Sequence, residues 1–160
     1  MLTKLLPEQV SAFWDIIKFS VEESLPPIVG ENPDKMNRIL TSILSGKTQC
    51  WASYRRDEEI PIFEGICLTR IIYDDASDTK NLLIYTVYGY EKTIEESWMN
   101  AFLSVSKYAV AEGCSQVVAY TSVPYIVEKA KMYGANTDFT FVTFNIKSTV
   151  KKIINKDMIR

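Results

Sequence analysis

The chain contains no histidine among its 160 residues. Histidine is the usual general base near neutral pH and the commonest zinc ligand in proteins. A Ser-His-Asp triad is therefore excluded, and we expect no bound metal. Any catalysis must come from carboxylates, tyrosines, lysines, cysteines or backbone dipoles.

Cysteine is scarce as well, and its three copies do not suggest disulfides. Cys50, Cys67 and Cys114 lie far apart, are odd in number, form no CxxC pair and are flanked by apolar residues. This pattern predicts reduced, buried thiols in a cytoplasmic protein. Because no histidine is present to activate them, the pattern favours packing in the core over nucleophilic catalysis.

Long apolar runs are also missing, and the charge is nearly balanced. No run approaches the roughly 18 residues of a membrane span, and the N-terminal MLTKLLPEQV is too short in apolar residues for a signal peptide. We therefore expect no membrane association. The net charge of −2 does not require a nucleic-acid partner.

Positive charge is concentrated at the C-terminus. Residues 147–160 carry +4, whereas the rest of the chain carries −6. Such a tail can dock on an acidic partner, on nucleic acid or on the protein's own acidic face, or it can simply fray. Nucleic acid is the least favoured partner. We expect one domain over 1–147 and a basic tail over 148–160.

Hydrophobic periodicity predicts alternating helices and strands. Steps of three and four residues indicate amphipathic helices, and short β-branched or aromatic runs indicate strands. The predicted order is α-α-β-β-β-α-β-α-β, with antiparallel strands first and a parallel crossover later, so we expect a mixed sheet with helices on both faces. The helices are expected at 8–25, 33–45, 98–113 and 124–133, and the strands at 50–54, 62–73, 81–88, 116–121 and 138–147.

Four segments between Leu82 and Ile146 carry a resemblance to a known family. LLIYTVY, SWMNAFLSVSKYAVAEGC, QVVAYT and VEKAKMYGA resemble the central strand, the following helix, the next strand and the final helix of the GNAT (acyl-CoA N-acyltransferase) superfamily. The resemblance implies an α/β fold with a GNAT-like mixed central sheet. It also implies transfer of an acetyl group from acetyl-CoA to a primary amine of a small molecule or a protein.

The resemblance implies that acetyl-CoA lies beside the central strand, with its pyrophosphate on backbone N–H groups at the start of the next helix. The cofactor contacts implied in this way are Val87, Tyr88, Gly89, Lys92 and Thr93. The segment Thr93–Glu96 also fits a capping box, in which Glu96 bonds back to the amide of Thr93. Its two glutamates favour a helix start but repel a pyrophosphate, so both interpretations stay open.

The same resemblance implies a carboxylate that accepts the proton of the amine and a tyrosine that protonates the leaving thiolate. Glu64 and Glu91 are the candidate bases, and Tyr125 is the candidate acid. A solvated surface charge or a packed tyrosine is the plainer interpretation of each residue. The tyrosines and the tryptophan around the loop either line a groove or pack in the core; they are Tyr85, Tyr88, Tyr90 and Trp98.

These observations leave two functions in competition. The first is an acetyl-CoA-dependent N-acetyltransferase. The alternative is a non-catalytic protein of the same fold that serves protein assembly through a partner or a homo-oligomer, for example as a phage virion or host-interaction component.

Overall fold

A five-stranded sheet in the order β1-β2-β3-β4-β5 forms the centre of the fold. The computed structural model describes residues 2–90 and 95–159, without the side chains of 55–57, 61, 95–96 and 157–159. The strands are β1 (Leu2–Lys4), β2 (Thr48–Asp57), β3 (Ile60–Asp74), β4 (Thr79–Gly89) and β5 (Cys114–Ala119). The helices are α1 (Pro7–Ala12), α2 (Trp14–Glu22), α3 (Lys35–Leu44), α4 (Glu95–Ala111), α5 (Pro124–Met132) and α6 (Ile146–Ile159).

The chain forms two compact units, Met1–Tyr120 and Thr121–Arg160, and the first contains the whole sheet. The predicted mixed sheet is confirmed. Strands β1 to β4 pair in an antiparallel sense, and β5 joins β4 in a parallel sense after the α4 crossover. The boundary expected between residues 147 and 148 stays a prediction.

Helices cover both faces of the sheet, because successive side chains of a strand point to opposite faces. Leu83 of β4 packs into a large core with residues of α1, α2 and α3, whereas Leu82 packs with Val105 and Ala109 of α4 on the other face. The nearly continuous apolar sequence of β4 follows from this burial on both sides. Among the described helices, none is long and apolar enough to cross a membrane.

The first predicted helix is interrupted. The expected span 8–25 is divided into α1 and α2 at Phe13, whose backbone lies at φ −110° and ψ 20°. Val10, Ile17 and Val21 still face the same core, so the apolar period continues across the break. A one-residue break of this kind leaves no signal in the hydrophobic period.

The second unit differs most from the prediction. The strand expected over 138–147 is wrong, because residues 135–145 form no regular structure and α6 begins at Ile146. The alternating side chains are present, but Phe139 is 85% exposed and Phe144 is exposed as well. A strand needs a neighbour to bond its backbone, and the described residues supply none here.

Candidate active site

The pairing between the two parallel strands ends before β4 does. Their pairing runs from Lys80 opposite Cys114 to Ile84 opposite Ala119, and β5 ends there. Strand β4 continues to Gly89 and stays paired with β3. Residues Tyr85–Gly89 therefore have no β5 partner in the described chain, and we call this stretch the open edge. A strand edge without a neighbouring strand is the kind of feature on which an extended ligand can pair.

A β-bulge marks the start of the open edge. The register between β3 and β4 changes from Leu68 opposite Thr86 to Thr69 opposite Ile84, which leaves Tyr85 as an extra residue. Bulges bend a strand and are frequent beside active sites. The Tyr85 ring is held by the guanidinium of Arg70, 4.4 Å from the ring centroid. Burial raises the pKa of the Tyr85 hydroxyl above its usual value, although the nearby charge of Arg70 acts in the opposite direction.

Thr86, the next residue, carries a buried hydroxyl that lacks a hydrogen bond. The residue is 3% exposed, and its Oγ1 atom has no partner among the residues that the structure describes. Most buried polar atoms in proteins are hydrogen-bonded, and an unsatisfied one costs about 1–3 kcal/mol. An orphaned hydroxyl on the open edge is the kind of group that a bound ligand can satisfy.

Three aromatic rings meet where β4 ends. The Phe19 and Tyr88 rings are 5.8 Å apart, and the Tyr88 and Tyr90 rings are 5.1 Å apart, both in edge-to-face geometry. We call Phe19, Tyr88 and Tyr90 the aromatic cluster. The Tyr90 hydroxyl hydrogen-bonds the Ser20 hydroxyl and also lies 3.3 Å from the Ile16 carbonyl oxygen. These contacts attach α2 to the end of β4.

The backbone of Glu64 lies beside the aromatic cluster. The backbone amide of Tyr90 donates to the Glu64 carbonyl at 3.0 Å. Glu64 is itself the extra residue of a bulge, since Ser53 faces Gly65 and Tyr54 faces Phe63. A Cβ atom at Gly65 would lie 3.2 Å from the Tyr88 carbonyl oxygen, so the glycine permits the close approach of β3 and β4. The structure thus places the backbone of one candidate base next to the end of the open edge, and its role as a base stays a prediction.

The other predicted site residues have different outcomes. Val87, Tyr88 and Gly89 all lie on the open edge. Glu91, Lys92 and Thr93 lie outside the described residues, so the choice between a phosphate loop and a capping box stays a prediction. Tyr125 lies in the first turn of α5, in the second unit, with the Lys129 amine 5.5 Å from its ring centroid.

Two of the three cysteines have buried thiols. Burial raises the pKa of the Cys50 and Cys67 thiols to about 12, so both stay protonated near neutral pH. The predicted burial is confirmed for these two, whereas Cys114 is only partly buried. Burial also raises the pKa of the Cys114 thiol above its usual value, although the charge of Lys80 acts in the opposite direction. In the described part of the chain, no three side chains are placed to hold a metal ion.

Sequence reasoning missed Thr86, Phe19 and Ser20. The one usable signal was the single threonine inside the run NLLIYTVY. The contact between Ser20 and Tyr90 joins residues 70 positions apart. No local pattern could have shown it.

Solved acetyltransferase structures share this architecture. An aminoglycoside acetyltransferase from an uncultured soil metagenomic sample, in complex with sisomicin, superposes with a TM-score of 0.64 at 13% identity, covering 90% of this chain and 93% of its own. Glucosamine-6-phosphate N-acetyltransferase from Arabidopsis thaliana superposes with a TM-score of 0.62 at 13% identity, covering 91% and 97%. The chain has the GNAT fold.

A third structure with the GNAT fold contains the cofactor. The aminoglycoside N-acetyltransferase AAC(6')-Iy in complex with CoA superposes with a TM-score of 0.57 at 11% identity, covering 90% of this chain and 96% of its own. No protein-family model and no curated protein sequence matches the chain. At these identities the likeness concerns the fold alone.

Proposed function

We propose that the protein is an N-acetyltransferase that moves an acetyl group from acetyl-CoA to a primary amine. The observation that carries this proposal is the open edge of β4, which continues past the last residue of β5 and has no β5 partner in the described chain. The amide-containing pantetheine arm of CoA can pair with such an edge as a neighbouring strand would. The bulge at Tyr85 and the orphaned Thr86 hydroxyl begin the same stretch.

The described residues of the open edge suit this cofactor. The backbone of Val87, Tyr88 and Gly89 offers donors and acceptors to the pantetheine arm, and Thr86 offers a hydroxyl. Bound acetyl-CoA supplies the acetyl group as a reactive thioester. Backbone N–H groups of the open edge would polarise its carbonyl. Lys92 and Thr93 are the proposed pyrophosphate contacts.

Glu64 is the proposed general base. Its backbone is fixed beside the end of the open edge, and its carboxylate can take the proton that an ammonium acceptor must lose before the nitrogen attacks. Glu91 is the second candidate base, and Tyr125 is the proposed acid for the leaving thiolate. The proposal includes a cytoplasmic location, which the reduced thiols of Cys50 and Cys67 support.

Ligand-induced stabilisation tests the cofactor directly. A ligand that binds only the folded chain stabilises it by about 2.7 kcal/mol at a hundredfold excess over Kd. We expect acetyl-CoA to raise the melting temperature in a dose-dependent manner. Lys92→Ala should reduce that rise, and Lys107→Ala, which removes an exposed lysine of α4, should preserve it. The absence of any rise at millimolar acetyl-CoA would overturn the enzymatic proposal.

A second function is favoured by the surface of the second unit. Phe139, Phe144, Ile146 and Ile153 are all exposed there, an arrangement typical of a protein contact. The second candidate is therefore a GNAT-fold protein that serves assembly, for example in a phage virion or at a host surface. Light scattering of the full chain and of a chain truncated after residue 147 tests it. A monomer in both cases, with no change in partner binding, would contradict this candidate.

A further inference from the structure

The aromatic cluster presents ring surface to solvent at the end of the open edge. Phe19 is 50% exposed and Tyr90 is 36% exposed, although each ring packs edge-to-face on Tyr88. The cluster is held in place from two elements, since Tyr90 bonds Ser20 of α2 while its amide bonds the Glu64 carbonyl of β3. A fixed group of half-exposed rings is suited to binding a cation.

Other tyrosines of this protein already bind cations of the chain itself. Lys4 lies 5.2 Å from the Tyr108 ring centroid, Arg70 lies 4.4 Å from that of Tyr85, and Lys129 lies 5.5 Å from that of Tyr125. Within residues 2–90 and 95–159, no such cation lies over a ring of the aromatic cluster. The cluster thus has the chemistry that the chain uses elsewhere for ammonium and guanidinium groups, and it lacks a described internal cation.

We propose that the acetyl acceptor is a compound with at least two amino groups, one of which is held as an ammonium on the aromatic cluster. This inference rests on the proposed acetyltransferase function. A cation-binding site favours the protonated form of an amine, whereas the attacking nitrogen must be neutral. One amino group cannot meet both demands, so the held group and the reacting group are different nitrogens of one acceptor.

The reaction then modifies only one end of the acceptor. The new bond joins the free-end nitrogen to the acetyl carbon, and the bond from that carbon to the CoA sulfur breaks. The free-end nitrogen arrives as an ammonium and gives one proton to Glu64, which passes it to solvent. The nitrogen loses a second proton when the new bond forms, and this balances the proton that the sulfur takes from the proposed acid as CoA leaves as the thiol. The held ammonium keeps its charge, so the expected product carries a single acetyl group.

Binding of cadaverine, measured by calorimetry without acetyl-CoA, tests the inference. Cadaverine should bind the full chain, whereas pentanediol, its uncharged counterpart, should bind at least tenfold more weakly. Phe19→Leu and Tyr88→Leu should each weaken cadaverine binding on the order of fivefold, because leucine keeps apolar volume and loses the ring. Tyr88→Phe keeps the ring and should bind cadaverine normally. Tyr73→Leu, at an exposed site away from the cluster, is the matched control.

The outcomes separate this inference from the function on which it rests. Equal binding of cadaverine and pentanediol, or cadaverine binding that is unchanged in both leucine variants, would overturn the inference. Both variants are first checked for folding by circular dichroism, and Tyr88→Phe provides the readout if Tyr88→Leu does not fold. Ring-dependent cadaverine binding without acetyl-CoA-dependent turnover would support the cation site and overturn the acetyltransferase proposal alone.

Discussion

The two halves of β4 have the same apolar sequence character but different surroundings. In the first half, Leu82 and Leu83 are buried between helices, with β3 on one side and β5 on the other. In the open edge, Val87 is 39% exposed, and the described residues provide neither a β5 partner for the strand nor a hydrogen bond for the Thr86 hydroxyl. One strand thus supplies stability at one end and unsatisfied backbone and side-chain groups at the other, where a ligand can use them.

The largest expected effect tests the stabilising half. Leu82→Ala removes a fully buried side chain between β4 and α4, and such changes cost about 2–5 kcal/mol of the free energy of unfolding. Val87→Ala removes a partly exposed side chain of the open edge and should cost about 1 kcal/mol or less. Urea denaturation measures both. Equal losses in the two variants would remove the distinction between the halves.

The next effect tests the chemistry at the open edge. Glu64→Gln keeps the shape of the side chain and removes its ability to take a proton, so turnover should fall about a hundredfold, or roughly 2.7 kcal/mol in activation free energy. Stabilisation by acetyl-CoA should be unchanged. Glu59→Gln, an exposed neighbour in the β2–β3 turn, is the control. Turnover within twofold of the original protein would transfer the role of base to Glu91.

The sequence predicted much of this framework because periodicity reports burial. The run NLLIYTVY, a helix and QVVAYT are enough to predict a buried strand with a parallel neighbour, and both strands are present. The point at which β5 stops pairing with β4 depends on tertiary packing rather than on any residue type. Neither Ile84 nor Ala119 carries a signal for it.

Other features were missed for different physical reasons. The three-residue β1 is too short for a period to be read. The alternation in 138–147 resembles a strand, but a strand also requires a partner for its backbone, which the sequence does not specify. Of the candidate site, Val87, Tyr88, Gly89 and Glu64 were named through the family resemblance, whereas Thr86 was not. The link between Ser20 and Tyr90 was not predictable, because it is made only when α2 packs on the sheet.

A smaller expected effect tests whether water is excluded from the sheet beside the open edge as well as it is elsewhere. Cys67 lies opposite Val87 of the open edge, whereas Cys50 lies opposite Leu68 between β2 and β3. Burial raises the pKa of both thiols from 9.0 to about 12, so the folded state keeps protons that the unfolded chain releases above pH 9. The stabilising contribution is therefore complete below pH 9 and is lost as the pH rises toward 12.

The alkaline loss can be measured one thiol at a time. Each buried thiol should reduce the free energy of unfolding by about 1.4 kcal/mol for each pH unit in this window. Cys67→Ala and Cys50→Ala should each make the decline less steep than in the original protein, and by similar amounts. A decline that Cys67→Ala leaves unchanged would show that water reaches this thiol beside the open edge.

The last test uses one type of substitution, threonine to valine, at two sites. It should change the free energy of unfolding in opposite directions at these sites. Thr69 and Thr86 are both buried, on neighbouring strands, and valine has almost the shape of threonine. The Thr69 hydroxyl accepts from the Trp51 indole at 2.9 Å and donates to Gln49 at 2.9 Å. Thr69→Val orphans both partners and should cost about 1–3 kcal/mol.

Thr86→Val should instead raise the stability of the free protein by about 1 kcal/mol, because it removes a buried hydroxyl that has no partner. The same change should reduce the stabilisation by acetyl-CoA, which thermal unfolding with and without the cofactor measures on one sample. A gain in stability with full cofactor stabilisation would mean that the hydroxyl is idle in both states. A loss of stability without cofactor would mean that this hydroxyl already has a hydrogen-bond partner in the free protein. The Thr86 hydroxyl would then no longer support a ligand site at the open edge.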